Sequence, residues 1–273
     1  MSDAGRVLSR LVNRPERWDF AGAERLYAGV DLGTYKAIVI IVDAQGRPRA
    51  ARMRRAEVVR SGLIVDFAGA RHLVGEMIEE MRSASPLPIE QGATSYPPRT
   101  EDANVDATRY ILEGAGLEVL CVPDEPTAAN RVLSIRNGAI VDVGGGTTGI
   151  AVIQRGRVVF TDDEATGGVH LTLVVAGNRG IGYEAAEKIK TDPAMSREVL
   201  SMVRPVIEKI AAIVERCLQP FEGLNRVCLV GGTCELEGFC DIVQKALGIK
   251  AFRPPFPQFT TPLGIALSCL DKR

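Results

Sequence analysis

A chain of 273 residues that is 46% hydrophobic and 25% charged carries enough apolar material for one large domain or two modest ones. Its formal net charge of -1 supplies no global attraction to nucleic acid or to an anionic membrane. No apolar run approaches the ~20 residues that span a bilayer, no signal-peptide core opens the chain, and the six cysteines form no C-x-x-C pair, so a cytoplasmic location is expected.

Residues 1–26 read as an N-terminal extension. Within it GRVLSRLVNRPE (5–16) sets Val7, Leu8, Leu11 and Val12 on one side of a short helix that stops at Pro15. Such a helix is a loosely attached arm, a docking element for a partner, or a helix packed on its own domain. From Tyr27 the signal sharpens. YAGVDL, GTYK and AIVIIVDA read as strand, tight turn and strand; QGRP is a second turn and RAARMRRAEVV (49–59) a third strand. RPRAARMRR (47–55) concentrates five arginines, either on a solvated strand face or as a surface for an acidic partner. RHLVGEMIEEM (71–81) has helical spacing, and TEDANVDATRYILEGAG (100–116) reads as a helix capped by Thr100 and closed by glycines.

The next passage repeats the first. GAIVDV, GGGTT, GIAVI, QRGR and VVFTDD (138–163) follow the same order: strand ending in Asp, Gly/Thr turn, strand, glycine-containing turn, strand. Asp142 corresponds to Asp31, Thr147 falls near Thr34, and Gly156 pairs with Gly46, which makes an internal duplication. Beyond it lie a long amphipathic helix over 196–218, kinked at Pro205, and a last helix with Thr261 as N-cap and Pro262 at its first position. Strands and helices interleave throughout, so the class is α/β with two related halves.

Glycine next to strands weakens them, since it loses backbone entropy and packs nothing. A turn with converging backbone N–H groups repays that cost as an anion site. Glycine lets phosphate approach the backbone, and threonine hydroxyls add donors. A carboxylate at the end of the preceding strand is useful there when Mg²⁺ lies between it and the phosphate. Two such turns, with Asp31 and Asp142 disposed about one metal through water, predict a clamp on a polyphosphate. The P-loop pattern is absent, so the architecture differs from that of P-loop proteins.

VDLGTYK (30–36) and VDVGGGTTG (141–149) resemble the two phosphate loops of the actin/DnaK/sugar-kinase superfamily. VPDEPTAA (122–129) is similar to the connecting segment with a water-orienting glutamate, here Glu125. EATGG (164–168) resembles the glycine pair near the phosphates, Glu187-x-x-Lys190 the adenosine-contacting pair, LVGGTCELEGF (229–239) the adenosine loop, and TPLGIALSC (261–269) the second connecting helix. The resemblance implies two RNase H-like domains flanking a nucleotide cleft: domain I over 27–137 with the segment 262–273, and domain II over 138–261. It implies ATP or ADP with Mg²⁺ as ligands. Glu125, Asp142 and Thr147 would be the catalytic residues. Asp31, Gly33, Thr34, Tyr35, Lys36, Gly144, Gly145, Gly146, Thr147, Thr148, Gly167, Gly168, Glu187, Lys190, Gly231, Gly232 and Thr233 would bind the nucleotide.

More narrowly, VRSGLIVDFAGA (59–70), ATSYPPRT, DEPTAA and DEATGGVHLTLVVAGNRGI are similar to the EutJ family of ethanolamine-utilisation operons, DnaK-like proteins associated with bacterial microcompartments. That resemblance implies a chaperone-like protein whose nucleotide-gated domain closure acts on a protein partner, such as an ethanolamine-breakdown enzyme or a microcompartment component. Three departures qualify it. No lysine occurs between Lys36 and Lys188, so the charge DnaK places near the γ-phosphate is missing and slow hydrolysis is expected. Tyr35 is bulkier than the family's hydroxyl residue. Glu235 replaces a base-stacking arginine, which leaves adenine or guanine open. The rival readings are an actin-like filament or scaffold, for which 59–70 also has a resemblance, and a small-molecule kinase of the same fold.

Overall fold

The computed structural model describes residues 3–60 and 62–272; Met1, Ser2, Ser61 and Arg273, which fall in the stretches 1–26, 59–70 and 262–273 singled out above, lie outside the described residues. The chain divides into two compact units, residues 1–134 with 259–273, and residues 135–258.

The first unit begins with α1 (Ala4–Leu11), then β1 (Leu26–Leu32), β2 (Lys36–Asp43), β3 (Pro48–Arg55), β4 (Val59–Arg60), β5 (Leu63–Ile64), α2 (Phe67–Ala84), β6 (Gln91–Thr94), α3 (Asp102–Gly114), β7 (Glu118–Cys121) and α4 (Glu125–Leu133). The second unit holds β8 (Gly138–Val143), β9 (Thr148–Gln154), β10 (Arg157–Glu164), α5 (Gly168–Arg179), α6 (Tyr183–Thr191), α7 (Ser196–Leu218), β11 (Arg226–Val230), α8 (Phe239–Leu247) and β12 (Lys250–Phe252); α9 (Thr260–Ser268) then returns to the first unit.

The duplication is present in the sheets. One has strand order β3-β2-β1-β6-β7 and the other β10-β9-β8-β11-β12. In each, a three-strand antiparallel meander is extended by two parallel strands. Even the turns match: Gly33 N–H donates to the Lys36 carbonyl at 3.0 Å, and Gly144 N–H to the Thr147 carbonyl at 3.0 Å. Gly46 and Gly156, in the second turns, have φ of 77° and 78°, where a side chain would be strained.

Side-chain alternation assigns the faces. In the first sheet Ala28, Val30, Val39 and Ile41 enter the core with α2 and α3, while Tyr27, Ile38, Ile40 and Val42 meet α1 and α9 on the other side. In the second sheet Val141, Val143, Ile150 and Val152 pack with α5, α7 and α8. By the same alternation Asp142 and Gly149 lie on the face away from those helices.

Of the three readings of the N-terminal helix one is met, and several other expectations are corrected. The helix at the N-terminus packs on its own unit: Leu8 is fully buried, Trp18 Nε1 donates to the Leu11 carbonyl at 2.9 Å, and Val12 bridges to Ala51. The third strand ends at Arg55 and Val59 pairs instead with Ile64. Asp66 caps α2 by accepting from Gly69 N–H at 2.8 Å, so that helix starts earlier than the apolar periodicity implies. Thr100 does not cap α3; its hydroxyl donates to the Pro97 carbonyl at 2.6 Å and Glu101 precedes the helix. Phe259, not Thr261, precedes α9. The helix over 196–218 has the expected bounds, with Pro205 inside it.

The arginine run of β3 is neutralised within the unit. Arg49 pairs with Asp43 at 2.7 Å, Arg52 with Glu80 at 2.7 Å, Arg54 with Glu76 and Glu80, and Arg55 with Glu57, while the Arg52 guanidinium lies 5.1 Å from the Trp18 ring centre. No helix among the described residues is long and apolar enough to cross a membrane.

Candidate functional site

The named residues divide between the units. Asp31, Gly33, Thr34, Tyr35, Lys36 and Glu125 belong to the first, and the others to the second.

In the first unit Asp31 and the turn 33–36 lie at the β1–β2 hairpin, and the Arg55 guanidinium lies 5.5 Å from the Tyr35 ring centre. Glu125 opens α4, its N–H donating to the Tyr96 carbonyl at 3.0 Å. It does not cap that helix. Asp124 does, accepting from Thr127 N–H at 2.9 Å and Thr127 Oγ1 at 2.7 Å.

In the second unit the glycine turn 144–147 is anchored through its carbonyls. Gly144 O accepts from Gly168 N–H at 2.9 Å and Thr233 Oγ1 at 2.8 Å, and Gly145 O accepts from Val169 N–H at 2.8 Å. The first-turn amides of α5 and the Thr233 hydroxyl therefore hold the carbonyl side of the loop. The opposite side carries the N–H groups of Gly145 and Gly146, for which no described residue supplies an acceptor. Unpaired backbone donors at a glycine turn form an anion-binding concavity.

The flanking glycines are explained by approach distance. A Cβ at Gly167 would stand 2.8 Å from the carbonyl oxygens of Gly144 and Gly145, and one at Gly168 2.5 Å from Thr233 Oγ1. Gly231, with φ of 89°, would drive a Cβ to 2.4 Å from Asp142 Oδ1 and from Val143 O. These residues close α5 and the β11 loop around the turn and its aspartate. Thr148 is also scaffold: it is fully buried and donates to the Thr166 carbonyl at 2.6 Å. Gly232 opens the short helical turn that carries Thr233.

Of Glu187 and Lys190, whose spacing also suits a surface ion pair, the first is buried and the second largely so. Lys190 Nζ lies 2.7 Å from Glu187 Oε2 and donates to Thr172 Oγ1 at 2.9 Å and the Gly168 carbonyl at 3.2 Å. Thr172 also hydrogen-bonds to Glu187. Burial pushes the Lys190 ammonium down from its ordinary pKa, and adjacent Glu187 pulls it back. The pair thus ties α6 to the first turn of α5, behind the glycine loop.

Sequence reasoning missed two residues. Thr172 has no motif of its own. Asp163, at the end of β10, accepts a hydrogen bond from Thr147, while its buried Oδ1 has no hydrogen-bond partner. Burial first, and then the charges of Asp142, Asp162 and Glu164, push the Asp163 carboxyl up to about 7, against the Thr147 hydrogen bond. The acidic run DDE (162–164) directly before ATGG was the signal available.

The residues fit a magnesium-bound phosphate. Unpaired amides suit phosphate oxygens, and the carboxylate at 142 suits the water shell of a hard cation. Among the described residues no group of three or more His, Cys, Asp or Glu is placed to hold a metal ion by itself, so a metal here would bring other ligands with it.

The family model of "Type IV pilus assembly protein PilM" matches residues 104–262. The ethanolamine utilization protein EutJ of Escherichia coli (strain K12) is 40% identical over 248 residues, 90% of this chain and 87% of that protein. The crystal structure of EutJ from Carboxydothermus hydrogenoformans superposes with a TM-score of 0.89 at 41% identity, covering 97% of this chain and 99% of that one. MreB5 of Spiroplasma citri bound to ADP has a TM-score of 0.71 at 16% identity, covering 88% of this chain and 95% of that one. At that identity the likeness speaks for the fold alone, which is actin-like.

Proposed function

We infer the function from one premise: the chain belongs to the EutJ family of ethanolamine utilization proteins, whose actin-like fold is shared with the family of the pilus assembly protein PilM. The protein binds ATP and ADP with Mg²⁺ and acts, in a nucleotide-dependent way, as a chaperone-like protein on a protein partner of ethanolamine utilisation. An ethanolamine-breakdown enzyme or a microcompartment component is the class of partner proposed.

The observation that carries the reading is the glycine turn 144–147, whose carbonyls are all but spoken for while the Gly145 and Gly146 amides have no acceptor. Phosphate oxygens would take those amides and Asp142 would hold the water shell of Mg²⁺, which supplies charge neutralisation when bound. The first-unit hairpin, with Asp31, Gly33, Thr34, Tyr35 and Lys36, repeats the same features and is likewise assigned to nucleotide binding. Glu187, Lys190 and the segment Gly231–Thr233 are assigned to its nucleoside side. Glu125, which opens α4, is assigned to orienting water. With no lysine between Lys36 and Lys188, hydrolysis is slow.

Calorimetry with ATP and ADP, with and without Mg²⁺, tests the reading. The wild type is expected to bind in a Mg²⁺-dependent way, and Asp142→Ala to abolish that dependence. Undiminished binding by Asp142→Ala would overturn the assignment. The actin-like filament reading keeps a place because MreB5, a structural neighbour, shares the fold and is bound to ADP.

A further inference from the structure

The two halves of the duplication differ in one row of their sheets. In the first, Asp31 pairs with Ile38 and Ile38 with Met53, so the aspartate has apolar neighbours across β2 and β3. In the second, Asp142 pairs with Gly149 and Gly149 with Asp163. Residues of one row project to the same face. Gly149 has no side chain, so two carboxylates flank an open position beside the glycine turn.

This arrangement is costly and nothing in the fold repays it. Asp163 has no cationic partner among the described residues, its Oδ1 is buried without a hydrogen bond, and Asp142, Asp162 and Glu164 add like charge around it. Met53 stands in the matching row of the first unit, so the sheet does not require an acid there. The one favourable contact is the hydrogen bond from Thr147, the residue that closes the phosphate turn.

A hydroxyl has one proton and two lone pairs. With its proton given to a carboxylate, Thr147 can only accept. A phosphate oxygen is also an acceptor and gains nothing from it; a water molecule can donate to it. We propose that Asp163 is a positioning residue of the phosphate loop, which accepts the hydrogen bond of the Thr147 hydroxyl so that Thr147 holds a water at the phosphate rather than the phosphate itself. This reverses the donor role that the sequence suggests for Thr147, and it rests on the nucleotide reading of the loop.

A double-mutant cycle tests it, with phosphate release and Mg²⁺-ATP affinity measured on the full chain. Thr147→Val and Asp163→Ala should each slow phosphate release about tenfold or more, the effect of losing a hydrogen bond to a charged group. The double variant should be no slower than Thr147→Val. Asp163→Asn should recover most of the rate, because its amide oxygen still accepts the hydroxyl proton. ATP affinity should stay within about threefold of the wild type throughout, since water and not phosphate is the group held. Thermal melts of Asp163→Asn and Thr147→Ser, both close in shape to the originals, separate this from a folding defect. Losses that multiply in the double variant, a failure of Asp163→Asn to recover, or a wild type without phosphate release would overturn the proposal. Undiminished ATP binding by Asp142→Ala would instead remove the nucleotide reading beneath it.

Discussion

Asp163 has an ordinary carboxyl value of 3.8 when unfolded and about 7 when folded, so between those values the folded state holds a proton that the unfolded state has released. The unfolded state binds fewer protons there, and stability falls as pH rises through that window. The contribution is complete below about pH 4 and gone above about pH 7. Asparagine at 163 has no charge to bury and escapes the loss. In buffer with a chelator, Asp163→Asn is therefore expected to melt higher than the wild type at about pH 8, by roughly 2–4 °C for each kcal/mol removed, with the gain shrinking toward pH 4. Asp142, Asp162 and Glu164 remain in both proteins, so the difference isolates the one carboxyl. A pH-independent difference would show that Asp163 is not strained by burial. At this scale the sequence is uneven as a guide. Asp142, the three glycines and Thr147 are contiguous, and a contiguous motif is read directly. Asp163 joins them only through strand pairing across Gly149, and Thr172 only through the helix α5 that the glycine pair opens, so neither had a local pattern to announce it.

Among elements of the first unit, α4 and α9 approach each other closely at Gly264. A Cβ at Gly264 would stand 1.8 Å from the Ala128 carbonyl oxygen and 2.4 Å from its carbon, both backbone atoms that no rotamer change can move. Gly264→Ala must push the two helices apart and is expected to cost about 2 kcal/mol or more. Gly75→Ala, in α2 with nothing within 4 Å of the new atom, is the control and should gain roughly 0.5–1 kcal/mol from helix propensity. Denaturant unfolding of the two variants measures both; equal effects would mean that the close contact carries no constraint. The sequence yields the elements of each meander because Asp, Gly and Thr recur there in a fixed order. It yields helix starts poorly. Asp66 and Glu101 precede helices where periodicity and Thr100 had pointed elsewhere, because in T-E-D several residues can cap and only the backbone geometry selects one. The short strands β6 and β7, four residues each, have no alternation long enough to be read.

For the whole molecule, two functional readings share one fold and one nucleotide, and they part on what the protein does with itself. An actin-like filament former adds copies of the chain as nucleotide binds, so the bound fraction and the assembled fraction rise together. A chaperone-like protein binds the nucleotide and stays small, because its effect is spent on another protein. At a nucleotide concentration 100 times the dissociation constant, binding to the folded state alone stabilises by about 2.7 kcal/mol in either case, so a rise in melting temperature with Mg²⁺-ATP does not separate them. Sedimentation does. With micromolar protein and saturating Mg²⁺-ATP, the proposed function expects the chain to remain in the supernatant while the melt shifts upward, and Asp142→Ala to lose the shift. A nucleotide-dependent pellet that Asp142→Ala no longer forms would place the protein with the filament formers instead. The neutral balance of 33 basic and 34 acidic residues gives no long-range self-repulsion to oppose such assembly. A protein that stays in solution under those conditions therefore does so because its surfaces do not fit one another, and the change that nucleotide makes is left for a different partner to read.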